Sequence, residues 1–288
     1  MDEIKAEKVL FSVVIPTFER PDDLRKCLSS LSPKLQGKQI LHELIVTDDS
    51  RSDACKQVVI NEFPKALWGK GKGKGPAANR NKGVNRASGD WIIFIDDDCI
   101  AQPGYLLAYA NAVEENPTVD VFEGRIFPDR PRQTWAEGCP ANEHGGLYWT
   151  SNLCVRKSFF EKLKGLDEQF EVAYEDVDFA YRAKRANANL LFVRDAQACH
   201  PWRSVRQGGK NWKNKNYESA DFKRFLRKHD PSEPEFSFSR YSRNLLRMAT
   251  YDFMTCVLVY RMRGLDILVF QMLVTFKSMF DILIHNRK

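Results

Sequence analysis

Three consecutive carboxylates, Asp96-Asp97-Asp98, close the apolar run Trp91–Ile95. Like charges crowded this way repel one another and bury poorly without a counter-ion. A hard divalent cation with oxygen ligands, Mn2+ or Mg2+, removes that cost and would itself grip a diphosphate. An Asp-rich turn capping the next helix is the bland alternative. Upstream, the segment Gly75–Gly83 (GPAANRNKG) presents Arg80 and Lys82, either to phosphate at the start of a helix or simply as a solvated basic face. The run Gly69–Gly75, GKGKGKG, reads as an unstructured loop more readily than as a lid over a phosphorylated ligand. Downstream, Tyr174-Glu175-Asp176-Val177-Asp178 opens a helix. Carboxylates there either cap amides or supply a general base for an attacking hydroxyl. His200 is a metal ligand or an ordinary satisfied histidine.

These residues need elements to hold them. Val9–Ile15 is a continuous apolar run, hence a buried strand, and Pro21 opens a helix with Asp22 and Asp23 at its positive end. Leu24, Cys27, Leu28 and Leu31 then form one stripe. The alternation continues with a strand at Glu43–Val46, helices near 52–62 and 77–87, a strand at Trp91–Ile95, a helix over 104–115 and a strand at Val119–Phe122. Further on, Leu147–Val155 reads as a strand, 157–163 and 175–186 as helices, and Leu190–Val193 as a strand. Strands rich in Val, Ile and Phe, separated by helices, predict an α/β fold around a mostly parallel sheet covered on both faces. Ligands collect beyond the carboxyl ends of such strands, where Asp48-Asp49 and Asp96–Asp98 fall.

The chain has 288 residues, 43% of them hydrophobic and 28% charged, a composition that excludes disordered, collagen-like and disulfide-scaffold classes. Its seven cysteines include no CxxC pair, which argues against structural zinc and for reduced thiols in a cytosolic protein. Met1–Lys8 is charged and does not read as a signal peptide. Residues 1–199 carry 27 basic side chains against 30 acidic ones, whereas 200–288 carry 17 against 8. The net charge of +6 therefore belongs to the tail and suits an anionic partner there.

Taken in order, the motifs resemble those of the family 2 glycosyltransferases of the GT-A fold. The resemblance covers roughly residues 10–200. It rests on Ser12–Phe18 (SVVIPTF), Val46–Ser50 (VTDDS), Arg80–Gly83 (RNKG), Ala87–Asp90 (ASGD) running into Phe94–Asp98, and Thr150-Ser151-Asn152 with Arg156. Gly165–Phe170 (GLDEQF) and Glu175–Asp178 with Arg182 complete it. It implies a GT-A, Rossmann-like, nucleotide-diphospho-sugar transferase, with inverting transfer of a sugar from a nucleotide-diphosphate donor to an acceptor hydroxyl. On that pattern Pro16, Thr17 and Asp49 hold the nucleobase, Asp48 supports the same turn, and Arg80 lies near base or diphosphate. Asp98 ligates Mn2+ or Mg2+, Asp96 and Asp97 lie nearer the ribose or a bound water with Asp96 a second candidate ligand, and His200 is a third. Asp176 is the base, Glu175 orients the acceptor, and Trp149 and Asn152 stand on the acceptor side. Trp149, Tyr148 and Trp135 either stack on sugar or fill core.

The resemblance predicts a GT-A catalytic domain over 1–205 and leaves a basic helical extension over 206–288, broken by Pro231 and Pro234. In that extension Leu268, Val269, Met272, Leu273, Phe276, Met279, Phe280 and Leu283 share a helical face, while the uncharged stretch Ile267–Phe276 is short for a membrane span. The helix reads either as lying in a membrane interface through 240–284 or as docked on the catalytic domain or a second subunit. The expected setting is cytoplasmic, peripheral to the inner face of the membrane, with a carbohydrate or lipid-linked acceptor, homo-oligomerisation open, and no nucleic-acid reader motif. Two rival functions are a sugar nucleotidyltransferase and a non-catalytic nucleotide-sugar-binding scaffold. The first usually carries a Gly-rich, Arg-containing loop after its first strand, where Pro16–Arg20 stands here.

Overall fold

Leu10–Thr17 forms β1, and its side chains are buried on both faces of the sheet: Val13 and Ile15 meet one core cluster, Val14 the other. The computed structural model describes residues 10–205, 217–229 and 237–285. Val9, Pro231 and Pro234 thus lie outside the described residues. Two compact units emerge, the first comprising 1–128, 140–171 and 175–201, the second 129–139, 172–174 and 202–288.

In the first unit the chain runs α1 (Pro21–Ser30), α2 (Pro33–Gln36), β2 (Leu41–Asp48), α3 (Ala54–Glu62), β3 (Leu67–Lys70), α4 (Pro76–Val84) and β4 (Trp91–Ile95). The strands β3, β2, β1 and β4 lie side by side and parallel. The chain continues through β5 (Ile100–Ala101), α5 (Tyr105–Glu115) and β6 (Val121–Pro128). A pair of residues in the second unit, Glu137–Gly138, is β7, after which β8 (Asn152–Arg156), α6 (Lys157–Lys162), α7 (Glu175–Arg185) and β9 (Leu190–His200) complete the first unit. The full sheet order is β3-β2-β1-β4-β8-β6-β9-β5, with β8 antiparallel to both neighbours. Leu24, Cys27, Leu28 and Leu31 bury the predicted stripe of α1 on one face of the sheet together with α5, while α4, α6 and α7 contribute to the cluster on the other.

Three local expectations give way. β3 was not foreseen, because Leu-Trp-Gly-Lys has too little apolar pattern to stand out, yet it pairs with β2 from Ile45↔Leu67 to Asp48↔Lys70. The GKGKGKG run is not loose: Gly69 and Lys70 belong to β3, Gly71 N donates to Asp48 O, Gly73 N donates to Asp49 Oδ1, and Lys72 pairs with Glu168 at 2.7 Å. Of the predicted strand 147–155 only 152–155 is strand, continuing to Arg156, while the amides of Leu147 and Tyr148 are held instead by a buried carboxylate described below.

The second unit pairs β7 with β10 (Arg203–Ser204) and adds α8 (Tyr217–Lys228), α9 (Phe238–Arg247), a π turn over Met248–Asp252, α10 (Phe253–Leu258) and α11 (Leu265–His285). Phe222, Phe225 and Leu226 of α8 are buried, and Tyr174 stacks against both phenylalanines. The predicted apolar face of α11 divides: Leu268 and Met279 are buried with Ile267 and Ile282, but Val269, Leu273, Phe276 and Phe280 are exposed. Gln271, placed by the sequence on the polar side, instead accepts a hydrogen bond from Trp135. The helix is also longer than its uncharged stretch suggested, because Lys277 and Asp281 continue it. Leu265–Ile284 is long and apolar enough to cross a membrane by length and composition alone.

Candidate active site

The sequence-predicted residues that converge do so in the first unit, at the carboxyl ends of β1, β2 and β4. Thr17 sits opposite Asp48 in register, with Pro16 opposite Thr47. Asp48 is fully buried and accepts from Ser50 N (2.8 Å) and Trp68 Nε1 (3.2 Å), so it shapes the turn. Asp49, partly exposed, is tied to Thr17 O through its amide and to Gly73 N through its carboxylate. Thr17 gives its hydroxyl to Asp97 Oδ2 at 2.7 Å.

The Asp triplet is shared out among different partners. Asp96 Oδ1 accepts from Arg80 Nη2 at 2.7 Å. Asp97 and Asp98 both receive Arg20 Nη1, at 3.0 and 2.8 Å. Asp98 Oδ1 lies 3.3 Å from His200 Nε2. Burial pushes Asp97 up to about 7, against the pull of Arg20 and Thr17. Arg80 is itself buried between Asp96 and Glu175 Oε1 (3.0 Å). Burial works against its charge, but the two carboxylates outweigh it and hold its pKa above the ordinary arginine value. Arg80 is thus a bridge from the triplet to α7.

Glu175 and Asp176 begin α7 after Tyr174, whose φ of 71° turns the chain sharply into the helix. Burial, reinforced by the neighbouring Asp176 charge, raises Glu175 to about 7 even with Arg80 beside it. Burial also raises Asp176, whose Oδ1 accepts from Val177 N. A carboxylate held partly protonated near neutrality suits proton transfer.

Five carboxylates here (Asp96, Asp97, Asp98, Glu175 and Asp176) face two guanidinium ions. That excess of acidic groups over basic ones fits a divalent cation, which would favour their ionised forms. The donor atoms fit as well. His200 Nδ1 lies 2.7 Å from Pro201 O, so an Nδ1–H donor leaves the Nε2 lone pair facing a carboxylate oxygen, an arrangement that a cation between them satisfies. Among the described residues, ligand atoms of Asp98, Cys99 and His200 lie within 4.8 Å of one another. Burial drives the Cys99 thiol well above its usual range and its Sγ lies 3.7 Å from Ser151 O, so within this cluster Asp98 and His200 are the residues that could hold an ion. Asp96 does not join that cluster.

Asn152 leaves the acceptor side. It is 0% exposed, its Oδ1 accepts from the hydroxyls of Tyr105 and Tyr109, and its Nδ2 donates to the carbonyls of Arg125 and Ala196. A side-chain amide so satisfied is a core fastener joining β8, β6, β9 and α5. Trp149 is half-buried in the loop that precedes β8. Trp135 belongs to the second unit, where its indole donates to Gln271. Two residues that sequence reasoning missed matter here. Arg20 stands out in the sequence only as part of the loop after the first strand. Glu123, 1% exposed on β6, gathers the 142–148 loop by accepting from Asn142 Nδ2 and the amides of Leu147 and Tyr148, and so sets where Trp149 emerges. An acid set between Phe122 and Gly124 in the mostly apolar segment Val121–Phe127 (VFEGRIF) was the available signal.

Comparison with known proteins bears on the family and the fold. The profile described as glycosyl transferase family 2 matches residues 12–185. The chain belongs to that family, a family of enzymes, and has its GT-A fold. It is similar to an uncharacterized glycosyltransferase of Haemophilus influenzae, with 26% identity over 59% of this chain and 60% of the relative. A GalNAc(5)-diNAcBac-PP-undecaprenol beta-1,3-glucosyltransferase of Campylobacter jejuni is 37% identical over 30% of this chain and 29% of its own length. Among solved structures, S. aureus TarS 1-349 in complex with UDP aligns with a TM-score of 0.55 and 21% identity, over 76% of this chain and 64% of that one. The chain therefore spans three fifths or less of the two curated relatives' lengths.

Proposed function

We propose that the chain is a metal-dependent, inverting glycosyltransferase, moving a sugar from a nucleotide-diphosphate donor to an acceptor hydroxyl at the cytoplasmic side of a membrane. Its product would be a cell-surface polysaccharide or glycolipid. The observation that carries this reading is the set of five carboxylates against two guanidinium ions beside Thr17 and Asp49. On the same reading 1–205 is the catalytic domain and 206–288 a basic helical extension.

Pro16, Thr17, Asp48 and Asp49 line the end that receives the nucleoside. Asp98 and His200 would hold the cation, Mn2+ or Mg2+, which when bound offsets the charge developing on the departing diphosphate. Asp176 accepts the proton of the acceptor hydroxyl while that oxygen bonds to the anomeric carbon. The bond from that carbon to the phosphate oxygen breaks, and the nucleoside diphosphate leaves with the electron pair. Attack opposite the leaving group inverts the centre, so one base suffices. Glu175, steadied by Arg80, orients the acceptor, and Trp149 offers a face for sugar stacking. A relative named for a PP-undecaprenol-linked glycan supports a lipid-linked acceptor over a free carbohydrate, and a structural neighbour holding UDP supports trying uridine donors first.

The test uses purified full-length protein with UDP-sugars and Mn2+. Asp176→Asn should bind UDP as the wild type does by calorimetry, with turnover reduced about 10²–10⁴-fold. Near-normal turnover would remove Asp176 as base. UDP binding that withstands both chelation and Asp98→Ala would remove the metal. Pyrophosphate release from a nucleoside triphosphate would point instead to nucleotidyl transfer, and silence across a broad donor panel to a binding module.

A further inference from the structure

The second unit displays apolar surface in a defined pattern. Along α9, the π turn and α10, Arg240, Arg243, Arg247, Tyr251, Met254 and Leu258 recur every three or four residues and all are exposed, Leu258 to 70%. This stripe is basic in its first half and apolar in its second. It runs into the turn before α11, where Val259, Arg261, Met262 and Arg263 are exposed as well. On α11 a second stripe, Val269, Leu273, Phe276, Phe280 and Ile284, is exposed, Leu273 to 62%. The other side of α11 is taken: Ile267, Leu268 and Ile282 are buried, Trp135 bonds Gln271, and Lys223 pairs with Asp281. Water-soluble monomers seldom leave so many large apolar side chains together in water.

We propose that this surface rests in the interfacial layer of a bilayer containing anionic lipids, the apolar stripes among acyl chains and the arginines at headgroup level. Charge favours lipid over a second copy of the chain. Residues 237–284 hold six basic side chains against three acidic ones, and of those three Asp252 is buried beside Arg247 and Asp281 faces Lys223. A two-fold contact would press this positive surface against itself, whereas anionic headgroups complement it. Arginines also bracket the apolar residues, at 240–247 and again at 261 and 263, as an interfacial helix requires. Packing favours lying on the bilayer over crossing it, because one side of α11 is bound to protein and carries the Lys223–Asp281 pair. The inference does not rest on the transfer reading. It deepens it by bringing the enzyme to the plane in which a lipid-linked acceptor resides.

The experiment is co-sedimentation of the full chain with vesicles of phosphatidylcholine alone or mixed with phosphatidylglycerol, with light scattering in parallel. The wild type should pellet with the mixed vesicles, less so as salt rises. Arg240→Glu/Arg243→Glu and Leu273→Gln/Phe276→Gln/Phe280→Gln should each weaken binding at least about tenfold. All five side chains are exposed, so circular dichroism should be unchanged. Asp98→Ala, which bears on the transfer reading alone, should pellet like the wild type. Failure of the wild type to pellet with anionic vesicles overturns the proposal. So does a dimer that the triple substitution dissolves without any vesicle binding, which would assign the face to a second copy.

Discussion

Arg20 Nη1 is shared between Asp97 Oδ1 and Asp98 Oδ2, so a single exposed guanidinium spreads one positive charge over two of the five carboxylates. It occupies the electrostatic role of the cation that Asp98 and His200 are proposed to hold. Arg20→Met should therefore lower the melting temperature of the metal-free protein, while calorimetry should register Mn2+ binding about tenfold tighter, ~1.4 kcal/mol, because the carboxylates are released to the ion. Unchanged Mn2+ affinity would mean that Arg20 does not compete with the ion. At Glu175 the sign runs the other way from an ordinary salt-bridged acid. Burial lifts its folded pKa from 4.5 to about 7, so the folded state holds its proton more tightly than the unfolded chain. The resulting stability is complete below pH 4.5 and is lost as pH climbs through about 7. Thermal melts across that window should fall with rising pH in the wild type and fall less steeply in Glu175→Gln, with buried Asp97 supplying part of the slope that remains. A slope unaltered by the substitution would show that the titration belongs elsewhere.

At the scale of elements, the ordered motifs turn out to be pairs that fasten one segment to another. Asn81 exchanges hydrogen bonds with both the amide and the carbonyl of Leu166, Ser12 Oγ binds Glu43 and accepts from Gly89, and Arg182 joins Asp178 to the carbonyls of Leu163 and Gly165. The sheet and most helices were legible because burial on both faces leaves continuous Val, Ile and Phe runs. Where the determinant was tertiary, the reading failed. Leu147–Trp149 is apolar enough for a strand, but the amides of Leu147 and Tyr148 bond Glu123 instead, and β9 runs on to His200 through Arg194 and Asp195 because a bulge opposite Gly124 and Arg125 takes up the irregularity. The site was half legible: the acidic residues stood out, whereas the pairing of Arg20 with Asp97, that of Arg80 with Glu175, and the burial of Asn152 against Tyr109 depend on contacts across 77, 95 and 43 residues. Gly71 shows the cost of such contacts. A Cβ there would collide with the Asp49 carboxylate and with Asn79. Gly71→Ala should displace Asp49 and weaken UDP binding by about 1–3 kcal/mol, close to what overpacking costs elsewhere. Calorimetry with intact affinity would show that the loop yields without disturbing the nucleoside end.

For the whole molecule, the sequence boundary between 205 and 206 and the physical one differ in kind. Residues 129–139 lie far upstream of the tail, yet they fold with it. Arg132 is the reason. Its guanidinium stacks on Trp135 at 4.3 Å, with Trp202 and Tyr260 also around it, and it donates to the carbonyls of Thr134, Trp135 and Glu137. Thr134 and Trp135 are further tied to Arg263 O through a side-chain hydroxyl and a backbone amide. A chain ending at Val205 would strip Tyr260, Arg263 and Gln271 from this cluster and leave the Trp135 indole donor unmatched. Residues 1–205 expressed alone should therefore be less soluble than the full chain, with a red-shifted tryptophan emission. Arg132→Met in the full chain tests the same coupling without truncation. Losing charged hydrogen bonds and ring stacking should cost about 2–4 kcal/mol. If the cluster is the joint argued for, amide exchange should accelerate first in the early turns of α11 and around Trp135, leaving β1 and β4 protected. Uniform acceleration across the sheet would mean that the segment 129–139 supports the catalytic core directly.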